Sequence, residues 1–426
     1  MTSYDAIVVG GGHNGLVCAS YLAKSGKKVL LLEANEQLGG GASTREFYPG
    51  FSVSACAHWL TQLSPDVDKD LGLQDNGLEF AARDLSSISL ALDGGILSLR
   101  GDQLEGQHIS GADRESYAAF YRQTLKFASL LATAFAARPP KLVESNLTDR
   151  SHLVKLGWAM KRLGRDDMRE LMRLALINMY DVMQENFANE QLKALLSLDG
   201  VLGAHMGPRS PNTVFGYLYR RVGDVFGYIG PAQVRGGMGS VGTALAQAAR
   251  GLGVEIRTGA KVDQIVVDEA RVSGVQLAGG EKISASLVVS NADPITTFRD
   301  LVGYRNIETG VARRVSQIRC KSGTAKLHLA LNGAPQFTGL TDAQLGQRLV
   351  IAPSMDYIER AFNHAKYGEY SGAAAMDISI PTINDSSLAP AGKHVLSAIV
   401  QFAPYELKGD WDLHKETFKK RIIECL

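Results

Sequence analysis

Residues 5–15, Asp5-Ala6-Ile7-Val8-Val9-Gly10-Gly11-Gly12-His13-Asn14-Gly15, decide how this chain begins to fold. A short apolar run passes directly into a glycine-rich turn. A helix-compatible stretch from Leu16 to Lys24 follows, then a second apolar run, Val29-Leu30-Leu31-Leu32, closed by Glu33. Strand, glycine turn, helix and strand ending in an acid make up the βαβ unit that binds a dinucleotide. Gly10 permits the tight turn and Gly12 lets the backbone approach a pyrophosphate. That group sits at the helix N-terminus, where free N–H groups and the helix dipole favour an anion. Gly15 lets the helix lie close to the strand. Glu33 stands where it can accept hydrogen bonds from a ribose hydroxyl, and its charge disfavours a 2′-phosphate.

A second glycine run sharpens the cofactor. Leu38-Gly39-Gly40-Gly41-Ala42-Ser43-Thr44 follows Glu33 within one short loop. A nicotinamide dehydrogenase has no need of it. A flavoprotein does, because the backbone there passes close to an extended FAD on its way to the isoalloxazine ring. A merely flexible loop is the plainer alternative.

Composition bounds the rest. The 426 residues are 45% hydrophobic and 21% charged, with a net charge of +1. That is enough chain for two intertwined domains and an ordinary globular core. The near-neutral charge offers no electrostatic case for nucleic acid. No apolar run approaches the ~20 residues of a spanning helix, and the first strand starts too early to leave room for a signal peptide. Cys18, Cys56, Cys320 and Cys425 are scattered, with no Cys-x-x-Cys pair. That argues against a dithiol redox centre and a zinc site, and fits a reducing cytoplasm.

Further along, Ser87 to Leu99 reads as a hairpin turning at Asp93-Gly94-Gly95. Asp113 can cap a long helix that Pro139-Pro140 stops. Helical segments rich in Met and Leu follow from His152 to Gly203. They form either plain core or a cap over an apolar substrate or membrane surface. From Val234 the pattern returns to α/β. Gly237, Gly239 and Gly242 again spell GxGxxG, but no apolar strand precedes them, so a second nucleotide site is not expected. The segment is expected to rejoin the first sheet, with Val262 facing the adenine end of the FAD. Strand-like runs at Ala325–Leu331, Ala373–Ile380 and His394–Val400 suggest a second sheet. Trp411 to Leu426 reads as a helix. His13 is expected to shape the glycine turn or meet phosphate, and His58, beside Trp59, to be an ordinary buried histidine.

Several stretches together carry a family resemblance: GGGHNG at Gly10–Gly15, Glu33 followed by GGGAST, VRGGMGSVGTAL, GVEIRTGAKV, VVSNADP, PTINDSSLAPAGKH and QFAPY. In this order the chain resembles the phytoene desaturase-like flavoproteins, in the branch of pyridine nucleotide-disulfide oxidoreductase domain-containing proteins and carotenoid ketolases. The resemblance implies an α/β fold: a Rossmann-like FAD-binding domain of discontinuous segments (1–60 and 232–300), and a mixed-sheet substrate domain (61–231 and 301–426) with a helical insertion at about 113–220. It implies FAD as cofactor, held by Gly10, Gly12, Asn14, Gly15, Glu33, Gly40, Gly41 and Val262; His13, read from the turn itself, joins them as a candidate. It also implies a small apolar, polyene or lipid-like substrate. Quinone or oxygen is the expected electron acceptor and the cytoplasm, or a membrane periphery, the expected location; the alternatives are a catalytically weak flavin-fold regulatory or interaction protein and a carotenoid desaturase or ketolase. No catalytic acid or base carries over, because the flavin does the hydride chemistry. Members of this branch run on past the point matching Trp411–Leu426, into a further glycine-rich segment that contacts the flavin. This chain is therefore expected to lack part of the flavin site.

Overall fold

The computed structural model describes residues 3–141, 146–321 and 323–426. Strand β1 (Ser3–Val9), helix α1 (His13–Lys24) and strand β2 (Val29–Leu32) form the expected βαβ unit. Both strands are parallel and almost wholly buried, which is why they read as unbroken apolar runs rather than alternating ones. They belong to a six-stranded sheet. Its order runs Glu255–Arg257, β2, β1, Lys282–Ser290, Arg271–Leu277, Val262–Asp268. The first four strands are parallel, and the last two fold back as an antiparallel meander. On one face Leu16 and Ala19 of α1 pack with Val8, Leu31 and the helix Gly239–Gly251, and Leu71, Leu73 and Leu78 join the same layer. On the other, Ile7, Val9, Leu30 and Leu32 pack with Val262, Ile265 and Val275.

A second, seven-stranded sheet mixes early and late sequence. Its order is Thr324–Leu331, His394–Gln401, Met376–Ser379, Arg348–Ile351, Ser87–Leu90, Ile96–Arg100, Gln103–Gly106. The Ser87–Leu99 hairpin is present. Strand Arg348–Ile351, which has no periodic signature, pairs parallel to Ser87–Leu90 and joins the early and late halves. One face is covered by the C-terminal helix Trp411–Cys425 through Phe418 and Ile422. The other supports helices between Gly111 and Val225. There Met179, Met183, Leu171 and Leu174 are buried among Phe120, Phe187 and Tyr217, so most of the Met-rich stretch is core packing. Ser110, not Asp113, caps the long helix: its hydroxyl accepts from the Asp113 N–H, and Asp113 in turn accepts from the Ala188 N–H at 2.8 Å. Among the described residues no helix is long and apolar enough to cross a membrane.

Candidate functional site

The strand order places a topological switch between β1, which continues to β2 through α1, and its other neighbour Lys282–Ser290. Ligands of open α/β sheets bind outside the carboxyl ends of the strands at such a point. Gly10 leaves β1 there with φ +100°, and Asn291 leaves the neighbouring strand beside it, its N–H bonded to Val9 O. The turn is tight enough that a Cβ on Gly15 would lie 2.1 Å from Gly10 O, and one on Gly12 would lie 2.9 Å from Asn291 Nδ2. His13 and Asn14 are exposed on the first turn of α1, while Gly15 is buried. The N-cap, Gly12, has no side chain to satisfy the first N–H groups, so these remain available to an anion.

Glu33 is buried at the end of β2. Its Oε2 accepts the Gly11 N–H at 2.7 Å, and its Oε1 accepts the Asn35 N–H and Nδ2–H at 2.9 and 2.8 Å. These bonds fix the carboxylate, occupy both lone pairs of Oε1 and leave Oε2 one lone pair for a ribose hydroxyl. The segment leading to Val262 passes this acid, because the N–H groups of Gly259 and Ala260 donate to Asn35 O and Glu33 O. The Val262 side chain itself is buried in the apolar layer with Leu32.

The second glycine run is tied to the first. Gly39 N–H donates to Gly11 O at 2.9 Å, and Gly40, at φ +59°, lies against Gly12 Cα. Gly41 is exposed, with open space where a side chain would stand. The loop then leads away from the first sheet: Ala55 N–H donates to Ser43 O and Ala57 N–H to Gly41 O. The other GxGxxG is closed to anions. Thr44 Oγ1 accepts from Gly239 N–H and Ser54 Oγ from Met238 N–H, while Gly242 packs on Gly39.

Immediately beyond Ala57, His58 enters a buried ionic group on the second sheet. Asp377 accepts from Trp59 Nε1–H at 3.0 Å and from Arg348 Nε–H at 2.8 Å, and it faces His58 Nε2 at 3.2 Å. Lys326 Nζ lies 3.1 Å from His58 Nδ1. Burial, followed by the Lys326 charge, lowers His58 to about 4, so the ring is neutral. A lysine ammonium only donates, so Nδ1 accepts from it. Nε2 therefore carries the ring proton and donates to Asp377. Burial also lowers Lys326, to about 8, against the opposing pull of Asp377. Burial alone would raise Asp377, but Arg348, His58 and Arg220 hold it far below the ordinary carboxylate range.

Lys326, Asp377 and Arg348 escape the sequence reading, and Asn291 stands in the VVSNADP motif with no role assigned to it. Lys326 and His328 alternate with Leu327 and Leu329, a pattern that reads as a strand with one wet face. In the fold that polar face is partly covered: Lys326 and His328 are half-buried. The four cysteines are free, with no disulfide among the described residues.

A glycine turn at the switch point of a Rossmann-like sheet, joined to a second mixed sheet that presents a half-buried lysine, is the architecture of an oxidoreductase. The chain belongs to the family of pyridine nucleotide-disulfide oxidoreductase domain-containing protein 2. It is 31% identical to the rat member over 99% of this chain and 78% of that one. It is also similar to a lycopene-forming phytoene desaturase of Pantoea ananas, 24% identical over 98% of this chain and 80% of the relative. Residues 8–71 match the NAD(P)-binding Rossmann-like domain family. The fold resembles that of the PF1083 protein of Pyrococcus furiosus, with a TM-score of 0.60 and 18% identity, over 99% of this chain and 84% of that one.

Proposed function

We propose that this chain is an FAD-dependent dehydrogenase of an apolar, polyene or lipid-like substrate. The observation that carries the reading is one continuous path. It runs from the phosphate loop through Gly39–Gly41 to Ala57 and His58, and ends at Lys326. A cofactor laid along it leaves its own sheet and reaches the second one, as an extended FAD does. Gly10, Gly12, His13, Asn14 and Gly15 would hold the pyrophosphate and Glu33 the adenosine ribose. Gly40 and Gly41 would flank the run toward the flavin, with Val262 near the adenine. When bound, FAD accepts a hydride from a substrate C–H bond, and quinone or oxygen then takes up the two electrons. The phytoene desaturase relative supports a hydrocarbon substrate.

The chain's own contribution is a base. Lys326 Nζ, partly unprotonated near pH 8, takes up the proton that substrate oxidation releases beside it. Protein reconstituted with FAD should show the bound-flavin visible band, and that band should bleach anaerobically on adding phytoene. Absence of bound flavin after reconstitution would refute the reading. The wild-type bleaching rate should rise as pH passes through about 8, where the amine loses its proton. Lys326→Met should lower the rate by roughly 10²–10⁴-fold and abolish that limb. A methionine variant with unchanged rate would exclude Lys326 as the base.

An apolar substrate is best met at a membrane surface. Helix Leu147–Leu163 exposes Leu147, Val154 and Trp158 beside Lys155, Lys161 and Arg162, the last stacked on Trp158 at 3.6 Å. We expect sedimentation with anionic phosphatidylglycerol vesicles that Trp158→Glu weakens by about tenfold, since an interfacial aromatic anchor is lost. Equal sedimentation of both proteins would remove this helix from the account.

A further inference from the structure

The group behind Lys326 is more ordered than a lysine base alone requires. Asp377 is fully buried and its two oxygens are divided between partners. Oδ1 meets His58 and Trp59, and Oδ2 takes Arg348 Nε–H. Arg348 is 1% exposed and is held in turn by Ser87 Oγ at 3.1 Å and by Asp199 at 2.7 Å. Asp199, on helix Glu190–Val201, also meets Arg220 at 3.4 Å and Arg221 at 3.9 Å. Two elements thus converge on Asp377, the second sheet and the loop after the second glycine run, and the helical layer reaches it through Arg348. The other charged or titratable groups near this set are His328 and Cys56 beside Lys326, and Asp224, Tyr217 and Tyr117 beside Arg221.

We propose that Asp377, clamped by Arg348, which Asp199 holds in turn, is the positioning residue of the reaction: it fixes the proton of His58 on Nε2 and so presents Nδ1 as the acceptor that holds Lys326 Nζ in place. The proposal rests on the reading of Lys326 as the base. A carboxylate is acceptor-only, so it demands a donor from the ring nitrogen facing it. The opposite nitrogen is then left with its lone pair toward Lys326. Without that acceptor, a four-carbon side chain with several rotatable bonds has nothing to fix its amine. An asparagine at 377 can turn its amide N–H toward Nε2. The ring proton then moves to Nδ1, and two donors face each other across the His58–Lys326 contact. A neutral amide behind a histidine disables the serine-protease triad in the same way, by enforcing the wrong tautomer.

Three variants separate positioning from mere structure: Asp377→Asn, His58→Phe and His58→Gln. A glutamine at 58 can donate to Asp377 and accept from Lys326, reproducing the polarity of the fixed ring. Phenylalanine fills the space with neither bond. The readouts are the pH titration of Lys326, followed by NMR after ¹³C reductive methylation and assigned by its loss in Lys326→Met, and kcat and KM for phytoene on FAD-reconstituted protein. Asp377→Asn and His58→Phe are expected to shift the lysine titration down by about one pH unit or more, because a favourable charge or acceptor is lost. Both should lower kcat by about 100-fold with KM little changed, while His58→Gln stays near wild type in titration and rate. Failure of His58→Gln to differ from His58→Phe would overturn the proposal, as would a Lys326 titration unmoved in His58→Phe. The histidine pair keeps the test decisive if Asp377→Asn does not fold. Should FAD fail to bind, the reading of the function falls, yet the lysine titration in these variants still reports on the positioning.

Discussion

Arg348→Met is expected to cost about 3–5 kcal/mol of folding free energy at pH 7, the usual penalty for stripping a buried charge of its partner. The side chain lies between two buried carboxylates, Asp199 and Asp377. Asp199 keeps Arg220 and Arg221 at longer range. Asp377 keeps a neutral imidazole and an indole N–H, with the charges of Arg220 and Lys326 acting on it but not bonded to it. The pH dependence has a definite sign. In the native protein Asp377 is held well below its unfolded pKa, so its stabilisation is present above about pH 4 and is lost as pH falls through the folded value. The variant lacks most of that depression. The stability gap between the two proteins should therefore be widest near neutrality and should narrow below about pH 4. Urea unfolding at pH 7 and in mild acid measures it. A gap under about 1 kcal/mol at pH 7 would show that Asp377 finds another counter-charge or water.

Gly15→Val should remove dinucleotide binding while leaving the protein folded. The added side chain would begin 2.1 Å from Gly10 O and would also press on Asn291. Backbone cannot yield as a side chain can, so α1 must move off β1 and carry the N-terminal N–H groups out of register with the pyrophosphate. An FAD affinity loss of about 100-fold or more, roughly 2.7 kcal/mol, is expected in a flavin fluorescence titration. Gly41→Ala is the control, because nothing stands within 4 Å of its new methyl group. It should bind within a few-fold of wild type. Equal affinities for wild type and Gly15→Val would move the cofactor away from this loop.

The two halves of the site were unequally legible. The βαβ unit is local: its strands, its turn and Glu33 lie within 34 residues, and each needs a residue type that sequence displays. The loop after Glu33 was readable for the same reason. Asn291 was quoted within a motif, but its closeness to Gly12 depends on Lys282–Ser290 pairing with β1, a contact between distant segments. Lys326 shows how pattern reading fails. The run Ala325–Leu331 reads as a strand and forms one, but nothing within it says what the side bearing Lys326 and His328 meets. What covers that side is the His58 loop, more than 260 residues away, together with the packing around Asp377. Arg348 sits in a four-residue strand, Arg348–Ile351, too short to show a period. Ser110 displaced Asp113 as a cap because two capping residues three positions apart compete, and the first satisfied the second.

The pairing of Ser3 with Ser284 has a consequence for synthesis. During synthesis this strand finds its switch-side neighbour only after about 280 further residues have been made. At ordinary elongation rates that delay is roughly 15–60 s. Throughout it, one edge of an apolar strand is unpaired and the glycine turn lacks the wall that Asn291 supplies. The nascent chain therefore needs shielding over that interval, by a chaperone or by early capture of its cofactor. Substitutions along Lys282–Ser290 that slow this pairing should show first as aggregation during expression, before any loss of stability in the finished protein.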